Sequence, residues 1–109
     1  MIDDDESPAI IPGPSVPEGA VSKELLIINK RGLHARASAK FVQTVERFSA
    51  EVWVTRGGET VGGTSIMGLM MLSAGPGTTI TVSAIGPDAD AVVNAITELV
   101  DSKFNEESM

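Results

Sequence analysis

Residues 51–61 read EVWVTRGGETV, and this stretch decides the fold class. Val52 and Val54 alternate with Trp53 and Thr55, the two-residue period of a half-buried strand. Gly57 and Gly58 then supply the positive φ values of a tight turn, and "ETV" runs back beside the first strand. An antiparallel hairpin therefore stands in the middle of the chain.

Working toward the N-terminus, apolar and small positions Ala35, Ser38, Phe41, Val42, Val45 and Phe48 recur at three- and four-residue spacing. They share one face of a helix that starts near His34. Ahead of it, "KELLII" at Lys23 to Ile28 is an apolar run of strand length, followed by a loop from Asn29 to Gly32. Working toward the C-terminus, Gly62 and Gly63 interrupt the pattern, and Thr64 or Ser65 can cap a second helix. "IMGLMML" has the length of two helical turns. "AGPG" from Ala74 to Gly77 is a turn, and "TTITVSAI" alternates Ile80, Val82 and Ala84 as a last strand. Pro87 and Asp88 open a final helix, with Asp88 as its cap. Its buried stripe is Ala89, Val92, Val93, Ile96, Leu99, Val100 and Phe104, and the acidic "NEES" end frays. The order βαββαβα predicts an α+β domain, a mixed or antiparallel sheet covered by helices on one face. A ferredoxin-like chain has the same order, so topology alone assigns no function.

A chain of 109 residues, 42% of them hydrophobic, makes one domain with one modest core. We divide it into an acidic, proline-rich arm over residues 1–21, read as disordered, and a folded domain over residues 22–109. No cysteine and a single histidine leave neither a disulfide framework nor a thiolate or nitrogen-rich metal cage, and no cofactor is called for. The net charge of −7 argues against general nucleic-acid binding. No apolar run approaches the roughly 20 residues of a membrane span, and "MIDDDE" has the wrong charge for a signal peptide. The chain reads as soluble, untargeted and cytoplasmic, without membrane insertion.

Charge is unevenly spread. Asp3, Asp4, Asp5, Glu6 and Glu18 precede every basic residue. No acid lies between Glu24 and Glu46, whereas Lys30, Arg31, Arg36 and Lys40 surround His34 in that interval. At the start of a helix, unsatisfied N–H groups and the partial positive charge of the helix end favour an anion. Arg36 adds planar, charge-assisted donors. The same two features oppose a positive charge on the ring, which leaves a lone pair for attack on phosphorus. His34, with the amide of Ala35 and with Arg36, is therefore a phosphate site.

Two segments resemble one known family. "GLHARASAKFV" at Gly32 to Val42 is similar to the active-site stretch of HPr, the histidine-containing phosphocarrier of the bacterial phosphoenolpyruvate-dependent phosphotransferase system. "GTSIMGLMML" at Gly63 to Leu72 resembles the second signature of that family, at the family's separation. The resemblance implies an open-faced β-sandwich, a four-stranded antiparallel sheet with three helices on one face. It implies that His34 takes a phosphoryl group on Nδ1 from phosphorylated enzyme I and passes it to an enzyme IIA domain, with Arg36 as the neighbouring group. It makes Ser65 the position of a regulatory serine, the target of HPr kinase/phosphorylase in bacteria that have one. The family usually carries proline after His-Ala-Arg, where this chain has Ala37; the acidic arm is a second departure.

A carrier shows one face to donor and acceptor, so an apolar patch with a basic rim is expected beside the histidine. Ile66, Met67 and Met70 are its exposed members by family pattern, with Lys40 on the rim. A shuttling carrier is most simply a monomer, chemically active yet dependent on other proteins for both half-reactions. The alternative is a nitrogen-related or regulatory phosphorelay protein without sugar-transport flux. A sheet that binds RNA needs base-stacking aromatics, and the strands offer only Trp53.

Overall fold

Leu25, Ile27 and Asn29 are buried while Leu26 and Ile28 face outward, so the first apolar run alternates as a strand with one wet face. The computed structural model of the chain describes residues 15–106. Across them run β1 (Val21–Leu26), α1 (Ala35–Val45), β2 (Glu51–Arg56), β3 (Glu59–Gly62), α2 (Ile66–Met71), β4 (Thr79–Ile85) and α3 (Ala89–Asp101), then a short turn at Lys103–Asn105. This is the expected βαββαβα order. The first strand starts two residues earlier than the apolar run suggests and ends at Leu26. The acidic part of the expected N-terminal arm, like the last residues of the acidic C-terminal end, lies outside the described residues.

The four strands form one sheet in the order β1-β4-β2-β3, and every neighbouring pair is antiparallel. Arg56 pairs with Glu59 across the predicted two-residue turn. Only Gly57 has a positive φ there, +60°, so a single left-handed residue closes the hairpin rather than two. Val52, Val54, Ile80, Val82 and Ala84 point to one side and meet Phe41, Val45, Val92 and Ile96 from the helices. The side away from the helices carries hydroxyl pairs, Ser22 with Ser83 and Thr55 with Thr60, each at 2.8 Å. One sheet face is thus a core, and the other carries these hydroxyls beside half-buried Trp53 and exposed Leu26.

On α1 the buried residues are Ala37, Ser38, Phe41, Val42, Thr44 and Val45. The stripe is shifted from the predicted one: Ala35 is exposed, Ala37 takes its place, and Phe48 lies beyond the helix end and half-buried. In α2 only Leu69 is buried, and Leu72 closes the core just after it. Asp88 does stand at the N-cap of α3, yet its carboxylate accepts from the Ser49 amide at 2.7 Å rather than from the helix's own first turn. It joins the α1–β2 connection to the start of α3. On α3, Leu99 is half-buried and the remaining predicted stripe is buried. Phe104 is fully buried, but from the turn beyond the helix.

Candidate functional site

Why does a Gly-Leu pair precede the histidine? Gly32 has φ +63°, and a Cβ built on it would stand 2.3 Å from the Ala74 carbonyl oxygen. Only glycine tolerates both the left-handed backbone and that approach. The next residue uses the same carbonyl: the Leu33 amide donates to Ala74 O at 3.0 Å, and its side chain is buried. Gly32 and Leu33 thus clamp the entry to α1 against the loop that follows α2. The clamp fixes where the next residue stands.

That residue is His34, the N-cap of α1 with extended backbone. Its carbonyl accepts the Ser38 amide at 2.9 Å, and its ring makes no capping bond. The amides of Ala35, Arg36 and Ala37 lie in the first turn, where a helix offers no acceptor of its own. The ring is 22% exposed and borders an open cleft of about 250 Å³ lined also by Arg31, Leu33, Ser73, Ala74 and Gly75. Ala35 and Arg36, the expected phosphate neighbours, are both exposed on the first turn. Arg31 was part of the basic field legible in the sequence; its place on the cleft wall was not.

The acid-free surroundings expected from the sequence are overturned by the other end of the chain. Glu106 Oε2 lies 2.5 Å from His34 Nε2 and also accepts from the Asn29 amide at 3.0 Å. Asn29 Nδ2 donates in addition to the Gly32 carbonyl at 2.8 Å, so one buried side chain ties the carboxylate to the loop before the helix. Lys103, Phe104 and Asn105 all have positive φ, 59°, 56° and 59°. That left-handed turn reverses the chain after α3 and sends Phe104 into the core and Glu106 to the ring. Rather than fraying, the "NE" of the acidic end is part of the site. Lys40, expected on the partner surface, is half-buried and donates its ammonium to the Phe104 carbonyl at 2.6 Å. Its charge fastens the turn.

Ser65 caps α2: its Oγ accepts the Gly68 amide at 2.9 Å, and Ser65 itself is exposed. A Cβ at Gly68 would come within 2.9 Å of that oxygen, which gives the serine and glycine of "SIMG" a shared geometric reason. Ile66, Met67 and Met70 are exposed as expected, and Met71, at 71%, joins them. Helices α1 and α2 pack against each other, and Ser73, Ala74 and Gly75 of the loop after α2 line the cleft beside His34. Among the described residues no group of three acids or histidines could hold a metal ion, and no helix is long and apolar enough to cross a membrane.

Residues 21–102 match the family model described as "PTS HPr component phosphorylation site". The chain belongs to the HPr family of phosphocarrier proteins. It is 49% identical over 86 residues to phosphocarrier protein HPr of Neisseria meningitidis, covering 79% of this chain and 97% of that one. It is 43% identical over 88 residues to phosphocarrier protein NPr of Shewanella violacea, covering 81% and 97%. Among solved structures, HPr-C-His from Thermoanaerobacter tengcongensis superposes with a TM-score of 0.76 at 41% identity, over 80% of this chain and 98% of the other. The family shares the antiparallel sheet and three helices described above, and with them a place in phosphotransferase-type phosphorelays. Glu106 lies beyond the matched residues 21–102.

Proposed function

We propose that this chain accepts a phosphoryl group on His34 from the phosphohistidine of enzyme I and hands it to a histidine of an enzyme IIA domain. The observation that carries the reading is the position of His34. It is the N-cap residue of α1, partly exposed, at the edge of a cleft with Arg31 on its wall. The ring lone pair attacks phosphorus, a nitrogen–phosphorus bond forms, and the bond to the donor nitrogen breaks with its electron pair returning to the donor. The anion then meets the free amides of the first turn and the guanidinium of Arg36. An anion at a helix N-terminus gains about 0.3–1 kcal/mol from the dipole, a small bias toward the phosphorylated form that leaves transfer onward open. Nδ1 of His34 is the acceptor atom that the family resemblance implies, and the engagement of Nε2 by Glu106 supports that choice. No cofactor takes part.

Exposed Ile66, Met67 and Met70 form the docking patch for both partners, with exposed Arg36 as the basic group at its rim. Ser65 is a regulatory phosphorylation site for an HPr kinase/phosphorylase. A dianion at the N-cap of α2 is compatible with the helix end, and it places charge beside Ile66 and Met67, where it opposes docking. The chain works as a monomer in the cytoplasm. A relay through a nitrogen-related IIA domain is the second reading, supported by the likeness to an NPr at 43% identity. The test mixes the chain with phosphoenolpyruvate and enzyme I. An acid-labile, base-stable phosphate is expected on the wild type and none on His34→Ala; transfer to a panel of sugar and nitrogen IIA domains then identifies the branch.

A further inference from the structure

The contact between Glu106 and His34 joins residues 72 positions apart in the chain. It is also maintained at a cost. Three successive non-glycine residues hold left-handed backbone to deliver it, a conformation that L-residues disfavour. Glu106 Oε1 and Asn29 Oδ1 are buried without a hydrogen-bond partner among the described residues, a further expense. Against this stand the burial of Phe104, the Lys40 bond to its carbonyl, and the bonds of Oε2 to Asn29 and to the ring. Such over-determined strain at a reactive group points to use.

We propose that Glu106, held by Asn29, is a positioning residue for His34: it fixes the ring's tautomer and orientation and offsets the charge that the ring acquires in transfer. This rests on His34 being the phosphoryl acceptor. An ionised carboxylate only accepts, so Nε2 carries the proton and Nδ1 carries the lone pair. When that pair forms the bond to phosphorus, the donor's bond to phosphorus breaks and its electrons return to the donor nitrogen. Nε2 keeps its proton throughout. The ring becomes cationic, and Glu106 faces that charge across a preformed hydrogen bond. A buried acid does the same for the imidazole of a serine-protease triad, with a different nucleophile. The role of the orienting amide falls to Asn29, which is itself anchored on the Gly32 carbonyl.

The experiment measures phosphorylation of the full chain by enzyme I and phosphoenolpyruvate for wild type, Glu106→Ala, Glu106→Gln and Glu106→Asp, together with the ¹⁵N spectrum of the neutral imidazole. Glu106→Ala is expected to lower kcat by about 10- to 100-fold with KM for the chain unchanged. Its spectrum should lose the dominance of the Nε2–H tautomer. Glu106→Gln keeps an acceptor and the tautomer but not the charge, and should fall between the two; Glu106→Asp should restore part of the rate. Glu106→Gln is nearly isosteric and decides the question if the alanine variant does not fold. Wild-type kcat with an unchanged tautomer in Glu106→Ala, or in its place wild-type kcat in Glu106→Gln, overturns the proposal. So does a rise in KM alone, which would assign Glu106 to docking. Phosphate on His34 in every variant separates that failure from failure of the carrier reading, which absence of phosphate on wild-type His34 would signal.

Discussion

Replacing Gly32 by alanine tests how the chain positions its histidine. The new Cβ would start 2.3 Å from the Ala74 carbonyl oxygen, and real Cβ atoms keep at least 3.0 Å, so two backbone segments must part by about 0.7 Å. A left-handed backbone costs an L-residue roughly 1–2 kcal/mol. Forced overpacking adds about 1–3 kcal/mol, and loosening the bond from the Leu33 amide to the same oxygen costs on the order of 1 kcal/mol. Together these give a loss of about 3–6 kcal/mol. Gly57→Ala supplies the control. It has nearly the same φ, +60°, with nothing within 4 Å of where the new methyl would stand, so only the roughly 1–2 kcal/mol of backbone strain applies. Urea unfolding should show both midpoints lowered at constant m, with Gly32→Ala the worse by about 2–4 kcal/mol. At about 4–8 °C per kcal/mol for a domain of this size, the melting temperature of Gly32→Ala should fall by at least about 12 °C. Equal losses in the two variants would show that the close approach to Ala74 does not hold the entry to α1.

Phe104→Ala empties a fully buried aromatic site and should cost about 3–5 kcal/mol in urea unfolding; because Phe104 anchors the turn, the His34 imidazole resonances should also move. Ser65→Ala removes the side-chain acceptor of the Gly68 amide and should cost about 1 kcal/mol by the same measurement, with phosphorylation of His34 by enzyme I retained. Arg36→Glu, on an exposed first turn, should leave stability within about 0.5 kcal/mol but slow phosphorylation by enzyme I and weaken its dependence on salt. A wild-type rate with undiminished salt dependence in that variant would remove Arg36 from the partner surface.

Local patterns carried most of the fold. The valine alternation and two glycines of residues 51–61 gave the hairpin, and three- and four-residue spacing gave the helical faces of α1 and α3. Errors arose where tertiary partners decide. Ala35 and Ala37 both suit a helix, and only the direction in which the Gly32 clamp launches α1 makes Ala37 the buried one. Asp88 has the identity of a cap, but a nearby loop amide competes successfully for its carboxylate. The places of His34, Arg36 and Ser65 at helix starts were legible because their neighbours along the chain supply those starts. Glu106 was not, since a pairing across 72 positions leaves no periodicity. One signal was present. Phe104 is a large apolar residue isolated among polar ones beyond the end of α3, and such a residue after a helix commonly folds back onto it. Asn105 beside it is among the few residues that accept left-handed backbone readily.

The central claim concerns one ring nitrogen. After phosphorylation by enzyme I and phosphoenolpyruvate, ³¹P–¹⁵N correlation on the ¹⁵N-labelled chain should couple the phosphorus to Nδ1 of His34, with Nε2 still bearing its proton. Phosphorus coupled to Nε2, or to no histidine nitrogen at all, would contradict the account.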